Sequence, residues 1–394
     1  MVSLCVASIS LRTKEQAMFT PPFCPYKQCE RHLEQEDESW WKPCGFHQTK
    51  AFGPVQRFRC LSCGRTFSVQ TFSVHYYAKR KLCLKRLERL AASSMSIRAL
   101  GREFQASCGT ITNRIDRLTR QGIAIHSSLR PEAIRDESVC FDGLVSFERS
   151  KYFPADIGIS ITCCSRYVLG ISHAITKRSG RLRPSQKDRR DLLYEGATFE
   201  KAAVVRSMRE QLDLIASVRV LTRRRPLLII TDEKKEYGRA FTHHSLYLEQ
   251  TEDKRSLHIL IPSTLARTFC NPLFASNYYD REVRKDQAQH RRATTCYARN
   301  AANDMSRMYS YLVWHNYDKR YLIKWPVDRF ETHAEIAGIA CERIKQLRTK
   351  MFEDRFFLSH LSLLPIDEKV WRKNIHEPIP FVPHRPTLPK FAVA

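Results

Sequence analysis

Residues 138–147 read S-V-C-F-D-G-L-V-S-F, a run of apolar and β-branched side chains interrupted by one carboxylate, Asp142. The run predicts a buried strand, and a carboxylate inside it is costly unless something compensates its charge. Downstream, residues 156–164 and 167–176 are two more such stretches, set off by turn-like breaks at 148–155 and 165–166. Together the three predict a three-stranded meander. Residues 197–216 follow as an amphipathic helix, 225–231 (R-P-L-L-I-I-T) as a short apolar strand, and 256–262 as another. A meander followed by alternating helix and strand implies an α/β or α+β catalytic domain with a mixed five-stranded sheet, expected over 135–325. Between the third strand and the helix, 177–190 is polar and basic with no core pattern, and predicts a mobile loop. Residues 280–317 read as mainly helical, and 331–350 as a last helix before a Pro-rich tail, the two forming a C-terminal region over 326–394.

Asp232 follows L-L-I-I-T directly, which places a carboxylate at the C-terminal end of a buried strand, where α/β sheets carry their ligand chemistry. Each aspartate alone could be a turn or cap residue. Two at strand positions in one basic protein suit Mg²⁺, which prefers hard oxygen ligands and activates water against a phosphodiester. A third acid is available in Y-Y-D-R-E-V-R-K-D (278–286), which offers Asp280, Glu282 and Asp286. Asn277 and Asp280 also have the spacing of a helix cap and its third residue, so Asp280 reads equally as a capping-box acid. The basic residues beside it, Arg281, Arg284, Lys285, His290, Arg291 and Arg292, form a solvated helix face in most proteins; next to a phosphodiester site, Arg284 and Arg291 would meet DNA phosphates.

Upstream, Cys24 and Cys29 form C-x4-C, and after 30 intervening residues Cys60 and Cys63 form C-x2-C. Paired knuckles of this kind supply four thiolates to a tetrahedral zinc, and Gly64 suits the turn behind the second. Cys44 and His47 lie in the connecting loop as competing ligands without a matching knuckle. A zinc ribbon is therefore expected over 22–77, stabilised by its metal. Residues 78–125 predict helix, helix, tight turn, helix. Leu82, Leu84, Leu87, Leu90 and Ala91 mark the first helix; Ser96 caps a second with Ile97, Leu100 and Phe104 on one face; Thr110 caps a third with Ile111, Ile115 and Leu118 inward. This is the order of a helix-turn-helix, leaving Asn113, Arg114 and Arg117 on other faces.

The chain has 394 residues and a formal charge of +25, which points to a polyanionic partner, nucleic acid first. Residues 57–130 alone hold fifteen Lys and Arg against three Asp and Glu. No stretch reaches the ~18 apolar residues of a membrane span, and the 14 cysteines are too dilute for a disulfide framework. A cytoplasmic protein with reduced thiols is expected. Residues 1–21 read as an extension without a motif, with Met18 as a candidate start.

The order C-x4-C, R-F-R-C-L-S-C-G-R-T-F-S, helix-turn-helix, F-D-G-L-V-S, I-I-T-D-E and N-P-L-F-A-S-N-Y-Y-D-R-E-V-R-K-D-Q-A-Q-H-R-R-A-T, spanning about residues 22–317, resembles bacterial insertion-sequence transposases of the DDE class with an N-terminal zinc ribbon. The resemblance implies an RNase H-like catalytic fold in which three acids hold two Mg²⁺ ions. Carried onto this chain, the acids are Asp142, Asp232 and Asp280, separated by 90 and 48 positions. In that family the third is an acid followed by Arg at the start of a basic helix, as in Asp280-Arg281. Many members have Glu there, which keeps Glu282 as the competing third acid. The resemblance further implies a homo-oligomer acting on double-stranded DNA, with the ribbon and helix-turn-helix recognising the element's terminal repeats and Asn113, Arg114 and Arg117 as contacts. The other reading is a DNA-binding regulator that kept the N-terminal half and lost catalysis.

Overall fold

The structure, a computed structural model, describes residues 19–33, 39–133, 137–218, 226–251, 255–292, 294–326 and 328–379. The expectations for residues 1–18, including the Met18 start, and for the tail beyond 379 lie outside them. The chain forms two compact units, Met1–Lys81 and Leu82–Ala394.

The first unit is an antiparallel sheet of β1 (Trp41–Thr49), β2 (Gly53–Cys60) and β3 (Thr66–Ser68), in that order. A unit this small buries too little surface to hold itself by apolar packing alone. Its core is a group of aromatic rings, Trp40, Phe58, Phe67 and Phe72, together with the buried thiols of Cys24, Cys29 and Cys60. Phe58 and Phe67 stack with ring centroids 5.8 Å apart, and Phe67 meets Phe72 edge-on at 5.8 Å.

The second unit opens with α1 (Leu84–Ala92), α2 (Ile97–Glu103) and α3 (Cys108–Leu129). Then come β4 (Val139–Phe147), β5 (Pro154–Thr162), β6 (Val168–Ile175), α4 (Pro184–Tyr194), α5 (Ala203–Val218), β7 (Leu227–Asp232), α6 (Lys235–Thr242), α7 (Ser245–Leu248) and β8 (Ser256–Ile261). Helices α8 (Phe274–Asp286), α9 (Ala301–Tyr317), α10 (His333–Ile336), α11 (Cys341–Glu353) and α12 (Pro365–Arg372) complete it. The sheet has five strands in the order β6-β5-β4-β7-β8. The first three are antiparallel, and β7 and β8 run parallel to β4. Every residue of β5 and β6 is buried, which explains why both read as unbroken apolar runs rather than alternating ones.

Several elements differ from the sequence expectation. Residues 177–190 are not a loop throughout: Pro184 at the helix start and Gln186, whose side chain accepts the Arg183 amide at 3.0 Å, begin α4. Its apolar residues are confined to Leu192, Leu193 and Tyr194 at the end, so no apolar period announced it. The stretch 331–350 is not one helix, because Gly338 at φ +91° separates α10 from α11. Residues 280–317 hold the end of α8 and all of α9, joined by a chain whose only regular turn among the described residues is a short 3-10 helix at Ala288–His290.

Helix α3 is the largest surprise. Ser107, not Thr110, caps it by accepting the Thr110 amide at 3.2 Å. Its 22 residues carry it from the helical triplet deep into the same unit as the sheet. Thr119 Oγ1 donates to the Ser306 carbonyl on α9 at 2.8 Å, Gln121 Nε2 donates to the Asp354 carbonyl beyond α11 at 2.6 Å, and His126 lies 2.8 Å from the Tyr317 hydroxyl. Just past its end Arg130, fully enclosed, donates to Asp367 on α12 at 2.7 Å and to the Leu169 carbonyl on β6 at 3.0 Å, while Tyr309 donates to the other Asp367 oxygen. The helical triplet and the sheet thus belong to one compact unit rather than two. Among the described residues, no helix is long and apolar enough to cross a membrane.

Breaking one side of a buried ion pair strands the other charge. Asp367→Ala is therefore expected to cost about 3–5 kcal/mol, read by calorimetry as a fall in Tm. A loss below about 1 kcal/mol, the range of surface pairs, would show that Arg130 does not depend on Asp367.

Candidate functional site

Two sites emerge, one in each unit. In the first, the sulfurs of Cys24, Cys29, Cys60 and Cys63 all lie within 4.8 Å of one another. Cys24 and Cys63 are 3.7 Å apart, as are Cys29 and Cys60. A tetrahedron with metal–sulfur bonds of about 2.3 Å has edges of about 3.8 Å, so the four thiols fit a structural zinc site. Burial pushes the thiols of Cys24 and Cys29 up. At Cys60 burial acts in the same direction, but hydrogen bonds from the amides of Cys63 and Ser62 prevail and lower it. That is the environment a knuckle offers a thiolate. Cys44 is exposed and, with His47, sits on β1 outside the cluster. Removing one ligand or the metal should unfold this unit: Cys60→Ser or a strong chelator is expected to abolish the β signal of Met1–Lys81 and one equivalent of bound zinc. Retention of metal by Cys60→Ser would reassign the ligands.

The second site lies where two parallel strands part. Strands β4 and β7 pair only at Val139–Ile229 and Cys140–Ile230. Extending that register by two residues brings Asp142 level with Asp232, just past the last rung. Asp142 Oδ1 accepts the Gly143 amide at 2.7 Å, and Asp232 Oδ1 accepts the Lys234 amide at 3.1 Å. Asp280, in the middle of α8, completes the group. The helix begins at Phe274 with Leu273 as its cap, so Asn277 and Asp280 are both inside it and the capping-box reading of Asp280 falls away. Burial, and then the charges of Asp232 and Asp156, push the Asp142 carboxyl up to about 6. Burial, and then Asp142, push Asp280 up to about 7, with Arg284 and Arg267 opposing. The charges of Asp142 and Asp280 are crowded and repel one another.

Glu282, the competing third acid, points into different company. Its carboxylate binds Lys285 at 2.7 Å and also Lys319. Burial works upward on it, but the hydrogen bonds from the two lysines prevail and hold it below its ordinary range. Asp286 accepts the Tyr311 hydroxyl at 2.8 Å. Two residues along a helix turn about 200° about its axis, so Asp280 and Glu282 face apart. Among the described residues, no carboxylate group is as tight as the cysteine cluster, as expected of like charges.

Three groups at this site escaped the sequence reading. Asp156, on β5 and 5% exposed, acts electrostatically on both Asp142 and Asp280. Its carboxylate is bound by the ammonium of Lys234. Tyr237 is buried against Phe141, ring centroids 4.9 Å apart, and burial followed by the four aspartates pushes its hydroxyl well above the usual range. Lys234 was visible, two positions after Asp232, but nothing in the sequence paired it with the start of β5.

The expected DNA contacts divide. Arg291 is exposed, and Arg284 donates to the carbonyls of His290 at 2.8 Å and Val145 at 3.2 Å beside the aspartates. Asn113 is half-buried. Arg114 and Arg117 are only 4% and 2% exposed, and both donate to the Asn113 side-chain oxygen. They are not on an outward face, because this stretch of α3 already belongs to the packed body. The exposed positions of the triplet include Lys85, Arg86 and Arg89 on α1, Arg98 and Arg102 on α2 and Ser107–Gly109 at the start of α3. Neither a family model, nor a characterised protein, nor a solved structure matches the chain.

A carboxyl raised in the folded state binds protons that the unfolded chain has released, so its contribution to stability is lost as pH rises. For Asp142 and Asp280 the window runs from about pH 4, the ordinary carboxylate range, through about 6 to about 7. Asp142→Asn is expected to be more stable than the parent above this window by about 1–2 kcal/mol, and about equal to it below. Melting curves across pH would show parallel profiles if the Asp142 carboxyl were not raised in the folded state.

Proposed function

We propose that the protein is a transposase of the DDE class, which binds the ends of its own mobile element as a homo-oligomer on double-stranded DNA and cuts and joins phosphodiesters there. The observation that carries this reading is the crowding of Asp142, Asp232 and Asp280 at the parting of two parallel strands, with two of the three carboxyls raised toward neutrality. A chain of +25 charge that spends anionic groups in this way is suited to gathering cations beside a polyanion. The three-stranded meander followed by two strands parallel to its first is consistent with an RNase H-like domain. The alternative of a regulator that has lost catalysis gives no reason to keep this repulsion.

In this reading Asp142, Asp232 and Asp280 hold Mg²⁺ through carboxylate oxygens, the donors a hard cation prefers. Magnesium bound there would activate water for strand cleavage, then the freed 3′-hydroxyl for joining, and steady the leaving oxygen. The chain's own work is positional. Gly143 and Lys234 orient the first two carboxylates through their amides, and α8 delivers the third. Arg284, tied to the backbone of β4 and α8's flank, stands as a phosphate contact, with Arg291 outside it. Arg98, Arg102 and the start of α3 contact the DNA ends, and the four cysteines hold a structural zinc. The setting is the bacterial cytoplasm, on the nucleoid.

The test is metal-dependent nicking and joining of DNA carrying the inverted repeats that flank the reading frame. Asp142→Asn, Asp232→Asn and Asp280→Asn are each expected to lose activity by about 100-fold or more while binding the ends as the parent does, and Glu282→Gln to stay active. An inactive Glu282→Gln beside an active Asp280→Asn would move the third role to Glu282. Tight end binding with no cleavage in any divalent metal would favour the regulator.

A further inference from the structure

Lys234 touches the acid site by three routes. Its amide orients Asp232 at 3.1 Å, its ammonium binds Asp156, and its charge acts on Asp142 against the repulsion there. The ammonium also lies 5.0 Å above the Tyr237 ring and 3.4 Å from its hydroxyl, so it is held on both sides. Its partner is placed with care. Asp156 pairs with Val145 and Asp142 with Ile159, so strand alternation directs the two carboxylates to opposite faces of the sheet. The Asp156 carboxylate lies over Gly143, where a Cβ would come within 2.2 Å of its oxygen. Only glycine leaves room for that carboxylate, and with it for the lysine, behind Asp142.

We propose that Lys234, held on Asp156, is a built-in countercharge that steadies the acid cluster when no divalent cation is bound and thereby sets the cation concentration the site requires. The proposal rests on reading Asp142, Asp232 and Asp280 as the cation site. The ammonium is not a ligand of that site. It sits behind it, and two positive charges near one carboxylate group raise each other's free energy. With the side chain about 29% exposed, its charge is only partly screened. Removing it leaves the Gly143 amide at Asp142 and Arg284 and Arg267 near Asp280 as the remaining offsets to the carboxylate repulsion, and makes room electrostatically for a metal ion.

The experiment is a thermal-melt titration of the full chain with Mg²⁺, and separately Mn²⁺, on the parent, Lys234→Gln, Lys234→Arg and Asp142→Asn/Lys234→Gln. Without metal, Lys234→Gln is expected to melt lower than the parent, with part of that deficit cancelled when Asp142→Asn is added and the remainder being the stranded charge of Asp156. With metal, its stabilisation midpoint is expected about three- to tenfold lower than the parent's, while Lys234→Arg, which keeps the charge, stays within about twofold. An additive double mutant with an unmoved midpoint would overturn the proposal and leave the cation site standing. A parent that is not stabilised by either metal, alongside strong coupling between Lys234 and Asp142, would instead overturn the cation site while the countercharge survives.

Discussion

The repulsion among carboxylates at the mouth of β4 and β7 is the constraint on which the rest of the unit turns. A strand as apolar as 138–147 gains stability by being buried, and burial is what makes Asp142 expensive. The ladder between β4 and β7 stops after Cys140 and Ile230, so Asp142 and Asp232 meet where no rung closes the gap. Asp280 arrives from α8, a helix that starts about one turn earlier than its sequence cap suggests. Each neighbour then has a definable duty: the Gly143 amide and Arg284 soften the charge, Asp156 adds to it, and Lys234 answers Asp156.

The frame that holds this mouth in place is helical. Helix α3 runs from the surface turn at Ser107 to Leu129 and is tied to α9, α12 and β6 through Thr119, His126 and the Arg130–Asp367 pair. A helix that is read as a DNA contact at one end is therefore part of the same packed unit as the five-stranded sheet at the other. Burial and Arg130 push the His126 imidazole down to about 3, so this joint stays uncharged between the two tyrosines around it. Force applied at the exposed start of α3 has a rigid path toward the sheet.

Much of this was legible in the sequence. All five strands were foreseen within a few residues, because β-branched runs bounded by turns have no helical reading. The cysteine knuckles were readable from their spacing, and Asp142 and Asp232 as acids in or at the end of apolar strand runs, whereas Asp280 was singled out by the family resemblance alone. What was hidden depends on packing. Arg114 and Arg117 look solvent-facing on a helix wheel, yet the body of the unit covers that side. Helix α4 has no apolar face to betray it, and Gly338 breaks a stretch whose period continues past it. The choice between Asp280 and Glu282 turned on partners that only packing supplies, since Glu282 is taken by Lys285 and by Lys319, 37 positions away, while Asp280 feels Asp142. Asp156 stood at the start of a strand, where an acid reads as a turn residue, and its link to Lys234 spans 78 positions.

Whether Asp142, Asp232 and Asp280 form one cation site with Glu282 outside it is read most simply from crystals of the full chain soaked in Mn²⁺ and measured at the manganese absorption edge. The proposed site predicts anomalous density bounded by those three carboxylates, with Glu282 still on Lys285 and Lys319. Density on Glu282 and Asp286, or none near Asp142 at saturating metal, would contradict it.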